Sequence, residues 1–207
     1  MKKTSVIFFL FFSFFTHSQT DIKSFFALSS SKKSWVLWHP FQAKKAYKIS
    51  VEVTRISDSI CKTDLLDGDA SGGQVDAFRH AYWMARLRQE IGKSAAKSLG
   101  KAHEKENYLM YKKNKKEDGI LPDEISSEMD LYNNNIGLSL ISKNSDISKT
   151  GLIYRVINAI HEGKMKIIKK DIYGNFLTCE NSIISNVDLK GTWKNNKCLV
   201  SSSQISL

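Results

Sequence analysis

The stretch from Gly72 to Gly92 constrains the fold of this chain more than any other. It opens on a Gly-Gly turn, places Ala77, Ala81, Met84, Leu87 and Ile91 at three- and four-residue steps, and stops at another glycine. That period is the buried face of an α-helix, and Gly92 breaks it. The same turns carry reactive groups, since the segment reads Gly72-Gly73-Gln74-Val75-Asp76-Ala77-Phe78-Arg79-His80-Ala81-Tyr82-Trp83. An acid, a guanidinium and an imidazole therefore share one or two turns of a helix that must also face a core.

Comparable patterns flank it. Pro40 stands where a helix can begin, and Ala46, Ile49, Val53, Ile56 and Ile60 continue at helical spacing, with Trp35 and Trp38 just ahead expected to cap the core. A third helix is predicted from about Ser94 with Ala95, Leu99, Ala102 or His103, and Glu106 on its face. A fourth runs from about Glu124 through Ile125, Met129 and Ile136 to a stop near Gly137, and a fifth from about Thr150 to His161. The Lys-rich stretch from Tyr111 to Asp123, with Asp118-Gly119 and Pro122, reads as an exposed loop. Beyond Gly163 the pattern changes to short apolar runs cut by Tyr173-Gly174-Asn175 and Lys194-Asn195-Asn196, which predicts short antiparallel strands. The expected architecture is mainly α, a compact bundle of about five helices over residues 19–163 with a small β-rich C-terminal extension over 164–207 packed on it.

Residues 1–18 read as a signal peptide: Lys2 and Lys3 precede an apolar run from Val6 to Phe15, which ends at Thr16-His17-Ser18. The run is about ten residues, short of the roughly 20 that span a bilayer, so cleavage before Gln19 is expected to leave no transmembrane anchor. The mature protein is thus expected to be exported, either periplasmic or secreted. Three cysteines in such a chain permit one disulfide, with Cys179 and Cys198 the preferred pair and Cys61 left over. The net charge of +10 is spread over short lysine runs rather than gathered on one stripe. That argues against nucleic-acid binding and leaves a solvated surface, or attraction to an anionic envelope surface or lipid, as the readings of the excess.

Asp76 and His80 are four residues apart and share a helix face, so they can hold one metal ion or form an acid-oriented imidazole. His80, His103 and Asp130 are the first-choice metal ligands, a mixed N/O set that suits zinc or another divalent cation, with Asp76 a ligand or orienter. Such an ion lowers the pKa of bound water and makes a nucleophile at neutral pH. The candidate catalytic set is Asp76, His80, His103, Glu104 and Asp130, with Glu104 or Glu106 as general base, and Arg79, Asn133 and Asn134 position substrate. A plainer account stands beside it. Asp76 suits the first turn of a helix electrostatically, His80 and His103 are satisfied core histidines, and Asn133 to Asn135 cap a helix end.

Sharper motifs fail. His103-Glu104-Lys105-Glu106-Asn107 begins like a zinc-protease helix but lacks the second histidine. Asp67, Asp69, Ser71 and Gly72 open like a calcium loop, yet its twelfth position is Phe78. There is no GxSxG, P-loop, GxGxxG or CxxC.

The Gly72–Trp83 motif, then Ala102-His103-Glu104, then Met129-Asp130-Leu131-Tyr132-Asn133-Asn134, together resemble the signature of a bacterial family of uncharacterised exported proteins with a domain of unknown function. The likeness covers about residues 35–140 and implies a mostly helical core, but no activity, substrate or metal. From the residues themselves, the leading expectation is a metal-assisted hydrolase acting on a phosphodiester, phospholipid or cell-envelope substrate. The alternative is a non-enzymatic exported binding or structural module whose His/Asp/Asn cluster is a buried hydrogen-bond network. A third reading, an interbacterial toxin or its neutralising partner, has no residue to argue for or against it.

Overall fold

A computed structural model describes residues 28–116 and 120–204. The expected signal peptide lies outside the described residues. Helices α1 (Ser30–Trp38), α2 (Pro40–Ile60), α3 (Gln74–Ile91), α4 (Lys93–Lys112), α5 (Glu124–Ser139) and α6 (Lys149–His161) precede strand β1 (Lys166–Ile168), the short helix α7 (Asn186–Leu189) and strand β2 (Leu199–Ser201). The protein is mainly helical, with one small antiparallel sheet pairing Lys166 with Ser201 and Ile168 with Leu199.

The local signals for these boundaries are physical ones. Proline begins α2, where its missing N–H costs nothing. Gly92, at φ +86°, ends α3 and starts α4, a conformation L side chains rarely adopt. Asp123 caps α5 by accepting from the Ser126 N–H at 2.8 Å, while Ser126 Oγ accepts from the Asp123 N–H at 3.1 Å.

Helix α3 is the axis of the molecule. Ala77, Phe78, Ala81, Tyr82, Met84, Ala85 and Leu87 are fully buried, covering more than one face, because α2, α4, α5, α6 and β1 all pack around it. The closest approach is that of α5. A Cβ on Gly137 would lie 2.1 Å from the Ala81 carbonyl oxygen, so α3 and α5 cross backbone against backbone. Gly137 therefore does not stop α5, as its residue type suggests; the helix runs on to Ser139 and the glycine serves the crossing. Helix α4 also comes close at Gly100, where a Cβ would stand 3.3 Å from Asn134 Nδ2.

Two further expectations need correction. Trp35 is buried as a core cap, its Nε1–H donating to Ser98 Oγ at 2.9 Å, but Trp38 is 82% exposed. The reason is position along α1: Trp38 is its last residue, about one turn beyond Trp35, at the junction with α2 where Leu37 and Phe41 are also exposed. The C-terminal stretch also holds less strand than its alternation suggests. Val187 and Leu189 lie in α7, and the pairings of Lys170 with Phe176 and Leu177 with Ile183 are single bridges. Much of its order comes from the Cys179–Cys198 disulfide and from bonds to the helices. Asn133, for example, exchanges two 2.9 Å hydrogen bonds with the Lys166 backbone. Cys61 keeps a free thiol that donates to the Gly68 carbonyl at 3.2 Å. No described helix is long and apolar enough to cross a membrane.

Candidate functional site

The loop before α3 sets the site. Asp67 Oδ1 and Oδ2 accept from the N–H groups of Asp69 and Gln74, Asp69 Oδ1 accepts from Ser71 N–H, and Lys170 pairs with Asp69 Oδ2. These carboxylates are spent on the turn and on Lys170, which sets aside the calcium-loop reading. The turn delivers the Gly72 N–H to Asp76 Oδ2 at 2.7 Å, and Arg79 Nη2 reaches Asp76 Oδ1 at 2.7 Å.

One turn on, His80 is 3% exposed. Its Nε2 lies 3.5 Å from Asp76 Oδ1 and 3.3 Å from Asp130 Oδ1, across the α3–α5 crossing that Gly137 permits. Its Nδ1 lies 3.3 Å from Asn134 Oδ1, one turn along α5 from Asp130. Ligand atoms of Asp76, His80 and Asp130 all fall within 4.8 Å of one another, and all three residues are buried. Burial pushes the imidazolium of His80 well below the ordinary histidine range, and the nearby Arg79 and His103 add to the effect. Burial also raises the Asp76 carboxyl, against the opposing pull of Arg79 and the Gly72 N–H.

The oxygen of Asn134 can only accept, so in this arrangement His80 Nδ1 carries the proton. Nε2 then turns its lone pair towards two carboxylate oxygens. Three electron-rich atoms at that separation repel unless a cation or a shared proton stands among them, and two carboxylates with one imidazole suit zinc or another divalent ion. The Asn134 contact is the outer partner a metal-bound histidine ordinarily keeps.

The structure thus brings together Asp76, His80 and Asp130, with Asn134 behind and Arg79 beside. His103 is not among the converging ligand atoms. Its ring centre is 6.0 Å from that of His80 and its edge meets Trp83 at 5.6 Å, with Nδ1 3.8 Å from Glu106 Oε2. For Glu106, burial opposes ionisation, but hydrogen bonds from His103 and Lys32 outweigh it and bring the pKa down to about 2. Glu104 is buried on another face of α4, where Asn107 Nδ2 donates to it at 3.4 Å. Asn133, spent on β1, stands apart from the cluster. Lys197 is a residue that sequence reasoning missed. Buried, it pairs with Asp123 Oδ2 at 2.6 Å and lines a small cleft together with Asp76, Arg79, Ser126 and Asp130. Only its place beside the bridged Cys198 hinted that it was held.

Two spaces meet at this cluster. The polar cleft just described has about 50 Å³, room for a few waters. On the other flank lies a groove of about 450 Å³, walled by Trp35, Trp83 and Leu99, into which Arg79, His80 and His103 also face. Arg79 borders both spaces.

The chain belongs to the family described as a domain of unknown function (DUF6973), whose model matches residues 33–164. No curated protein and no solved structure matches it significantly.

Proposed function

We propose that this protein is a hydrolase, exported from the cytoplasm, that uses a divalent metal ion held by Asp76, His80 and Asp130. The observation that carries the reading is the position of His80 Nε2, in contact with two buried carboxylates while Nδ1 is committed to Asn134. An ion bound there would supply activation of a water for attack at neutral pH. The residues do the rest. Asn134 fixes the tautomer of His80, and Arg79, paired with Asp76 and 30% exposed, is placed to meet an anionic substrate. His103, beside the groove and close to an ionised Glu106, is placed to pass a proton to or from the leaving group. The substrate class is an anionic ester, with a phosphodiester or phospholipid ahead of other cell-envelope material.

A second reading rests on the Asn134 amide. Its Nδ2 has no hydrogen-bond partner as oriented, and turning it over would let Nδ2 donate to His80 Nδ1. Nε2–H would then donate to Asp130, and the cluster becomes a structural network. The two readings separate in one assay. Protein stripped with a chelator is offered an activated aryl phosphodiester with and without added zinc or manganese. Turnover restored by metal in the wild type and lost in folded His80→Ala and Asp130→Asn variants is expected. Turnover unchanged in those variants, or no rise with metal, sinks the hydrolase.

A further inference from the structure

The groove of about 450 Å³ falls within the size range of small-molecule sites, and its lining is mostly apolar, with polar groups at Arg79, His80 and His103 and others at Lys32, Ser50 and Thr54. Its shape is set by α2, which contributes Ala43, Ala46, Tyr47, Ser50, Val53 and Thr54 to the floor. From Ala43 to Thr54 is three turns of helix, about 16 Å at 1.5 Å per residue. Apart from Tyr47, which is 61% exposed, these are small side chains, so the floor is a trough rather than a ridge.

The walls are held. Trp83 Nε1–H donates to Ser50 Oγ and Trp35 Nε1–H to Ser98 Oγ, each at 2.9 Å, so both indoles are fixed at their polar edges and present apolar faces. At the junction of α1 and α2, within two residues of the groove-lining Val36 and Ala43, Leu37, Trp38 and Phe41 are 70%, 82% and 94% exposed. Lys33, Lys44 and Lys45 flank them in sequence. Exposed aromatics beside lysines are what an anionic lipid surface attracts.

From this geometry we propose that the groove binds the hydrocarbon chain of an acyl amphiphile, its anionic head lying towards Arg79 and His80. The inference names the substrate class of the same cluster and rests on the metal-hydrolase reading for any chemistry after binding. A trough three turns long favours an extended chain over a compact ring. Because His80 belongs to both groove and cluster, a chain seated there brings its head group to the metal ligands, while the polar cleft admits water from the other flank. No part of this needs His80 to bind metal for the chain itself to bind.

The test is equilibrium binding of a dansyl-labelled fatty acid to the full mature protein, with laurate as competitor. Saturable binding displaced by laurate is expected. Thr54→Trp, at an exposed floor position, and Ala43→Trp, at a half-buried one, should weaken it by about tenfold or more by filling the trough. Asp130→Asn, outside the groove lining, should lose metal yet keep the chain, so failure of the metal reading shows separately. Phosphatidylglycerol vesicles in place of laurate tell whether the chain arrives on a phospholipid, with displacement, or as a free acid, without it. Absence of saturable binding, binding unaffected by both tryptophans, or displacement by naphthol but not by laurate overturns the proposal.

Discussion

The two flanks of α3 are built in opposite ways. Towards α5, Gly137 lets the backbones touch at Ala81, and the side chains crowded into that crossing are Asp76, His80, Asp130 and Asn134. Towards α2, the indole of Trp83 reaches Ser50 and Arg86 reaches Glu52, so long side chains bridge the two helices beside an apolar groove. Close backbone approach concentrates polar groups that need one another or a cation, whereas contact through large side chains leaves apolar room beside them. The same helix can therefore present one guanidinium, that of Arg79, to two chemically different spaces.

The sharpest way to break this contrast is to push the close flank apart. Gly137→Ala places a methyl 2.1 Å from a backbone oxygen and should cost about 3 kcal/mol or more in urea unfolding, with loss of metal binding. Gly100→Ala, where the nearest atoms stand 3.3–3.4 Å away, should cost under about 1 kcal/mol. If both substitutions behave alike, the backbone crossing is not what assembles the cluster. Next in size is Lys197→Met, which strands the buried Asp123 carboxylate at the cap of α5 and should cost about 3 kcal/mol by the same measurement.

On the flank towards α2 the effects are smaller. Trp83→Phe removes one hydrogen bond to Ser50 and should lower stability by about 1 kcal/mol. Glu106→Gln has a pH signature. An acid whose pKa falls from 4.5 to about 2 on folding stabilises the native state above about pH 4.5, and that stabilisation is lost as pH drops towards 2. Wild type should exceed the variant by about 1 kcal/mol at neutral pH, and thermal melts should converge as the solution is acidified. A gap that persists at pH 2 contradicts the ionised Glu106.

Much of this was legible from periodicity. Helices α2 to α6 follow from apolar spacing with Pro40, Gly92 and Asp123 as boundaries, and Asp76 with His80 share a face because they are four residues apart. What periodicity could not supply was distance between helices. Gly137 looks like a stop signal in sequence, and only its contact with Ala81 shows that it places Asp130 against His80. For the same reason sequence favoured His103 as a ligand and left Asp76 as a ligand or orienter: His103 lies on another helix, and nothing along the chain says how closely that helix brings it to His80. The C-terminal strands were overestimated because alternation over a few residues is also met by a disulfide-tied loop. The groove was invisible, since small residues such as Ala43 and Ala46 read as ordinary core.

The central claim is that Asp76, His80 and Asp130 form a metal centre. Metal content by mass spectrometry, on untagged protein equilibrated with zinc and manganese and then freed of excess ion, tests it in wild type, Asp130→Asn and His80→Ala. The account predicts one ion per chain in the wild type and loss of it in both folded variants. Wild-type protein that retains no ion, with the variants merely less stable, would show that the cluster is a hydrogen-bond network instead.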